Sequence, residues 1–430
     1  LLPGSEPLAM LYAGHQFGHY VGQLGDGRAI ILGEVMTAHG ARWELQLKGA
    51  GQTPYSRAGD GSAVLRSTVR EYLCSEAMQG LGIPTTRALC IVGSDEEVYR
   101  ESIETGAMLL RMAPSHVRFG SFETFYYRRQ FAELRALADY VIEHHYPQFL
   151  GQSDRYLAFY REVVLRTARL LANWQLVGFA HGVMNSDNMS ILGLTLDYGP
   201  FGFLDDYAPG FVCNHSDHHG RYAFDRQPDV ALWNLSCLGQ ALLPLFDESG
   251  EAAAEMAMAQ FDVYQDTFRT QYAEGLRRKL GLREARPDDA QLAQRLLELM
   301  ATERRDYTNT WRLLGDFTSS VNADNRRVRD HFIDREAFTA WATDYAARLR
   351  SEQSDDAERR AAMQRINPKY VLRNYLAQTA IEHARDQHDY SAIDRLLRVL
   401  QDPYTEHPKD AELAEPPPDW GRTLSVSCSS

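Results

Sequence analysis

Cysteine is scarce in this chain. There are five in 430 residues (Cys74, Cys90, Cys213, Cys237 and Cys428), an odd number, scattered and with no Cys-x-x-Cys pair. That excludes a disulfide-stapled secreted scaffold and suits a reducing compartment. Long apolar runs are missing as well. No stretch reads as the roughly 18–20 apolar residues of a membrane helix, and the first residues lack the basic-then-apolar layout of a signal peptide. We therefore expect a soluble, cytoplasmic monomer with no membrane partner. Basic residues are in deficit, 45 Lys and Arg against 58 Asp and Glu, for a formal net charge of −13 at pH 7. This argues against a protein that coats nucleic acid through phosphate neutralisation and leaves room for a small, locally basic pocket. The chain begins with Leu1 rather than methionine, which predicts natural sequence upstream of it.

What is present is average for a folded protein: 44% hydrophobic, 11% aromatic and 24% charged residues, enough for a sizeable core and two to four domains. Short β-like runs at 28–32, 43–47, 88–92 and 107–111 alternate with glycine turns and predict one mostly antiparallel sheet. Between them, Leu65, Val69, Tyr72 and Leu73 recur at helical spacing, which predicts a helix over 64–81 ended by Gly82 and Pro84. Beyond Ser121 helical patterns dominate, at 129–145, 157–178, 230–245, 252–280, 289–302, 338–350 and 370–385. A polar, glycine-punctuated stretch interrupts them at 178–220, and the tail around Pro416-Pro-Pro418 reads as extended or mobile.

Three segments carry chemistry. Gly22-Gln-Leu-Gly25-Asp-Gly27-Arg28 precedes a predicted strand; closely spaced glycines let backbone N–H groups approach phosphate, and they equally make a hairpin turn. Lys48 ends the strand at 43–47 and leads into a glycine-rich loop. Glu71, on the following helix, has only Ser67, Thr68, Cys74 and Ser75 at three- and four-residue spacing, so its carboxylate is either exposed or paired with a cation from elsewhere; Lys48 is the natural partner. The strongest signal is His181-Gly-Val-Met-Asn-Ser-Asp187-Asn188, followed by Asp197-Tyr-Gly199. Asp187, Asn188 and Asp197 offer a carboxylate for an incoming hydroxyl and hard oxygens for a divalent cation. The same residue types also cap turns.

His-Gly-x4-Asp-Asn followed by Asp-Tyr-Gly, after a glycine-rich loop, a strand lysine and a helix glutamate, resembles a protein kinase. More closely, Tyr12-Ala-Gly-His-Gln-Phe-Gly-His19, Leu45-Gln-Leu-Lys-Gly-Ala-Gly-Gln-Thr-Pro-Tyr-Ser-Arg57, the 181–188 segment, Asp197-Tyr-Gly-Pro-Phe-Gly-Phe-Leu-Asp-Asp206 and Asn367-Pro-Lys-Tyr370 are similar to those of the selenoprotein O family of adenylyltransferase pseudokinases. The similarity spans nearly the whole chain. It implies an α+β, bilobal, kinase-like fold: a small β-rich N-lobe over 1–120, a larger helical C-lobe over 121–320, and a helical C-terminal extension over 321–430. It also implies transfer of AMP from ATP to Ser, Thr or Tyr hydroxyls of protein substrates, with ATP bound in the reverse sense to a kinase. On the same resemblance Asp187 is the base, and Asn188 and Asp197 hold Mg²⁺ or Mn²⁺. Gly25, Gly27, Arg28, Asp60 and Gly61 contact the nucleotide, Lys48 positioned by Glu71 binds phosphate, and Arg111 and Arg118 are further phosphate ligands. Two arginines seven apart suit that task, because guanidiniums grip phosphate oxygens in planar forks. Where kinase-like phosphotransferases read His-Gly-Asp or His-Arg-Asp this chain has Val183, so the usual catalytic aspartate is absent. A conventional phosphotransferase and a pseudokinase that only binds nucleotide are the alternatives.

Three further signals remain. Cys213-Asn-His215-Ser-Asp217-His218-His219 is dense in metal-ligating types but irregular in spacing, and we read it as a structural or substrate-facing loop. His15 and His19 are expected to pack or hydrogen-bond. Cys428 stands where some members of the similar family carry selenocysteine; paired with Cys213 it would couple activity to oxidation, and alone it is an inert terminal thiol.

Overall fold

A computed structural model describes residues 6–24, 28–56 and 59–426. In chain order, its strands are β1 (Leu8–Ala9), β2 (Gly14–Gln16), β3 (His19–Val21), β4 (Ala29–Met36), β5 (Arg42–Lys48), β6 (Ala63–Val64), β7 (Arg87–Tyr99), β8 (Ile103–Ala113), β9 (Phe179–Ala180) and β10 (Gly202–Phe203). Six of them form one antiparallel sheet in the order β1-β4-β5-β8-β6, with β7 also paired to β8. β2 and β3 form a separate hairpin, and β9 pairs with β10. Helix α1 (Leu65–Gly80) lies against the sheet and ends where the N–H groups of Gly82 and Ile83 return to the carbonyls of Gln79 and Met78, a capped terminus. The expected sheet and its inserted helix are both present.

The remainder is mostly helical. It contains α2 (Phe119–Tyr127), α3 (Phe131–His145), α4 (Arg155–Val177), α5 (Gln227–Phe246), α6 (Gly250–Lys279), α7 (Asp289–Glu303), α8 (Tyr307–Leu314), α9 (Arg326–Arg329), α10 (Arg335–Ser351), α11 (Asp356–Gln364), α12 (Asn374–Gln387), α13 (Ser391–Leu400) and α14 (Asp419–Arg422). One core joins α1 to α2, α3, α4, α5, α12 and α13; a second gathers α7, α8 and α10 around Trp311 and Trp341.

Two expectations need correction. Residues 224–246 are long and apolar enough, by length and composition, to cross a membrane. Here they include α5, whose Val230, Leu235, Leu238 and Leu242 are buried in the first core, and which packs against α4 and α6. The tail is not loose as far as Val426. A 3₁₀ segment at Pro408–Ala414 and α14 cover the helical part, and Val426 bridges Asn214 while its carbonyl accepts the His215 N–H at 2.8 Å. Cys428 lies outside the described residues.

β5 shows how the fold prepares its interior. Period-two alternation puts Trp43, Leu45 and Leu47 on one face and Glu44, Gln46 and Lys48 on the other. The apolar set is only half-buried, whereas Gln46 is fully buried. This strand presents its polar face inward, a reversal of the usual pattern that needs partners for every group it buries.

Candidate active site

Those partners come from β8 and α1. In the register of β5 with β8, Gln46 stands opposite Arg111, and the Arg111 Nε donates to the Gln46 side-chain oxygen at 2.6 Å. Arg111 then reaches both Glu71 on α1 (2.8 Å) and Asp197 (2.6 Å). Lys48, at the end of the same strand, lies 2.5 Å from Glu71 and 3.8 Å from Asp197. Arg118, immediately before α2, pairs with the other Asp197 oxygen, donates to the Asp187 carbonyl at 2.8 Å, and stacks 4.1 Å over the Tyr12 ring. Three buried or nearly buried cations thus meet two carboxylates, which leaves the pocket positive in a chain of net charge −13. Burial alone would raise both carboxyls. Lys48 and Arg111 hold Glu71 below the usual range nonetheless, and Arg118, Arg111 and Lys48 hold Asp197 well below it. Burial lowers Lys48. Asp197 itself sits at φ +59°, a left-handed conformation that costs a non-glycine residue energy and marks functional sites.

The loop after β9 supplies the rest. His181 is buried, stacks on Trp174 with centroids 5.3 Å apart, and bonds the Leu196 carbonyl at 2.9 Å. Gly182 is at φ +79°, and a Cβ there would come within 2.5 Å of the Pro200 carbonyl, so no larger residue fits. The segment at 185–188 is gripped by the β2–β3 hairpin. The His15 N–H donates to the Ser186 hydroxyl (2.7 Å), the Gln16 amide to Asp187 (2.9 Å) and the Phe17 N–H to Asn185 (3.2 Å). Gly14 allows that approach, since a Cβ would lie 2.5 Å from the Ser186 hydroxyl. His15 is anchored in turn by Glu123 at 2.7 Å. Burial pushes Asp187 up to about 7, against the pull of Arg118 and helped by the Asp197 charge.

These groups line or border one cavity of about 280 Å³, walled by Tyr12, Gln16, Phe17, Arg28, Lys48, Arg111, Arg118, Val183, Asn185, Asp187, Asn188 and Asp197, among others. Of the residues expected from sequence, Arg28, Lys48, Arg111, Arg118, Asp187, Asn188 and Asp197 line it, and Glu71 backs it through Lys48 and Arg111. Asp60 and Gly61 do not line it. Asp60 bonds Arg100 at 2.7 Å, which holds its carboxyl at about 2. Gly25 and Gly27 lie outside the described residues. Sequence reasoning missed Tyr12, Gln16, Gln46 and Asn185. Gln46 is readable from strand alternation, and Tyr12 and Gln16 stand in the 12–19 segment of family likeness, with no local signal of their own.

The oxygens present fit a divalent cation shared with phosphate. Asn188 donates its amide N–H to the Val183 carbonyl at 3.0 Å, and among the described residues its side-chain oxygen accepts nothing. Asn188 lies in the cavity wall with Asp187 and Asp197. No cluster of three or more His, Cys, Asp or Glu is found among the described residues. A magnesium-type ion takes one or two carboxylates and completes its shell from substrate phosphates and water, so Asp187, Asn188 and Asp197 are the residues that could hold one.

Comparison with known proteins gives the family. The family model described as protein adenylyltransferase SelO matches residues 2–401. The protein nucleotidyltransferase YdiU of Myxococcus xanthus is 62% identical over 429 residues, covering 100% of this chain and 86% of that protein. Those of Thioalkalivibrio sulfidiphilus and Klebsiella pneumoniae are 58% and 56% identical, covering all of this chain and 87% of each relative. With a matching model over nearly its whole length and close relatives of one kind, the chain belongs to the SelO family of protein adenylyltransferases.

Proposed function

We propose that the protein transfers AMP from ATP to Ser, Thr or Tyr hydroxyls of other proteins. The observation that carries this reading is the pair of buried guanidiniums, Arg111 and Arg118, 1% and 2% exposed, at the inner side of a cavity whose kinase-type aspartate position is Val183. Planar donors in a water-poor site attract the most highly charged end of a nucleotide. The β- and γ-phosphates therefore go inward and the α-phosphorus stays toward Asp187, the inverse of a kinase. Arg28, in the cavity wall, meets the nucleotide from the side of β4, and Gly25 and Gly27 keep the nucleotide-contacting role that the family likeness implies; Asp60, paired with Arg100, and Gly61 stand outside the cavity lining and are not given that role. Lys48, held by Glu71, binds phosphate.

Asp187, raised by burial to about 7, accepts the proton of the acceptor hydroxyl near neutral pH. The hydroxyl oxygen attacks the α-phosphorus, the bond to the bridging α–β oxygen breaks, and pyrophosphate departs with its charge against Arg111, Arg118 and Lys48. Asn188 and Asp197 would hold Mg²⁺ or Mn²⁺, whose charge offsets that of the leaving group. In this reading 1–120 is the nucleotide lobe, 121–320 the catalytic lobe of a kinase-like bilobal fold, and 321–430 a buttress.

ATP labelled at the α-phosphorus and ATP labelled at the γ-phosphorus, incubated with the protein, a divalent cation and an acceptor protein, test the reading. Label on protein from the α-position alone is expected. Label from the γ-position would instead show a conventional phosphotransferase, and no label from either a nucleotide-binding pseudokinase.

A further inference from the structure

A second cavity, of about 560 Å³, opens next to the first, and Phe17 lines both. Phe17 is at the tip of the β2–β3 hairpin, 39% exposed and at φ +47°. Its N–H is bonded to Asn185, two residues from Asp187. A chain segment leaving the catalytic cavity past Phe17 enters this groove.

The groove contains a cation that, among the described residues, has no carboxylate partner. The Arg221 guanidinium stacks 4.6 Å over the Trp233 ring and lies beside Gly18, with its Nε buried and unbonded. Among the described residues Arg221 forms no ion pair. Asp217, the nearest carboxylate in sequence, is committed to the backbone N–H groups of Arg221 (3.0 Å) and Tyr222 (2.8 Å). Asp229, the other carboxylate of the lining, pairs with neither Arg221 nor Arg226. A half-buried guanidinium with no carboxylate is costly to a fold and strongly favoured by an incoming anion, and stacking on an indole pre-orients its fork.

We propose that this groove docks the acceptor segment of the protein substrate, and that Arg221 on Trp233 receives the carboxylate of an Asp or Glu flanking the acceptor hydroxyl. The inference rests on the function proposed above and adds a substrate class: hydroxyls in acidic sequence. Continuity with the catalytic cavity selects the acceptor rather than an unrelated partner, and the unpaired cation selects its charge.

The test uses the full chain, labelled ATP and synthetic peptides built around one acceptor tyrosine, with Glu, Gln or Lys placed in turn at each flanking position. Wild-type protein is expected to favour Glu over its isostere Gln by about tenfold in kcat/KM at one or two positions, as a charge-assisted hydrogen bond gives. Arg221→Gln brings that ratio to about one, and Arg221→Glu reverses it in favour of Lys. ATP binding by calorimetry reports whether the variants are folded. Equal rates for Glu, Gln and Lys peptides with the wild type overturn the proposal without any variant. So does an acid preference that persists in Arg221→Gln. A failure of the underlying function is distinguished by the label: γ-label on the peptides, or none, removes AMP transfer itself and the groove's role with it.

Discussion

Asp197 has three cations around it, more than a metal ligand requires. Arg111 and Arg118 each hold one of its oxygens, and both are the groups proposed to take phosphate. On the proposed reading triphosphate and Asp197 compete for the same guanidiniums, and phosphate binding would free the Asp197 oxygens for the cation. Asp197→Asn should relieve the competition: ATP binding without divalent cation tightens, by about tenfold for one charged hydrogen-bonding partner removed, while transfer is lost. Calorimetry in a chelator measures the first effect, and weaker metal-free binding by the variant would show that the carboxylate organises the arginines instead of competing for them. Asp187 is different, because the proposed function gives it the acceptor hydroxyl rather than the nucleotide. Asp187→Asn should lower transfer by about 10²–10⁴-fold, the usual contribution of a positioned base, with the ATP dissociation constant within about twofold of wild type. Full activity in that variant would end its assignment.

Among the elements, the β2–β3 hairpin does what no sequence pattern announces. Its strands are three residues each, too short for periodicity, yet His15, Gln16 and Phe17 bond the side chains of Ser186, Asp187 and Asn185 respectively. By contrast β5, α1 and β8 were legible. Its place at the end of a strand singled out Lys48, the absence of a cation three or four residues away on its helix singled out Glu71, and their ion pair is present at 2.5 Å. Asp187, Asn188 and Asp197 were readable as oxygen donors close in sequence. The left-handed Asp197 backbone, and its capture by two arginines from a strand and a helix start, depend on tertiary packing and left no local trace. Gln16 is the sharpest of the unforeseen groups. Its amide fixes one Asp187 oxygen, so Gln16→Ala should lower kcat by about tenfold while leaving KM for ATP unchanged, as loss of orientation at the base predicts. An equal rise in KM for ATP would mean that the hairpin shapes the nucleotide site.

At the level of the whole molecule, the C-terminal helices α12 and α13 pack against α1 behind the sheet-bearing part. Gly80 of α1 touches the Leu400 carbonyl closely enough that a Cβ would lie 2.1 Å from it, and buried Arg70 donates to both Phe201 and Asn374. Chain-wide apolar patterning foretold these helices but not which faces they cover, since that choice is made by packing. The second core holds a group whose titration reads global stability. Lys279 is 3% exposed, with its ammonium 5.0 Å from the Trp311 ring and 5.6 Å from Tyr307, and burial lowers its pKa to about 7. In the unfolded chain a lysine titrates near 10.4. Between about 7 and 10.4 the unfolded state therefore holds one more proton than the folded state, and stability rises with pH through that window. Below about 7 the penalty is complete. Lys279→Met, similar in length and apolar, should stabilise the protein by about 3 kcal/mol at pH 7, allowing for the ring faces that offset part of the desolvation. The gain should shrink to under about 1 kcal/mol near pH 10. Denaturant unfolding of both proteins at the two pH values isolates the lysine, because every other titrating group is common to the pair. A gain that does not change with pH would mean that Lys279 stays protonated inside the fold, held by Trp311 and Tyr307.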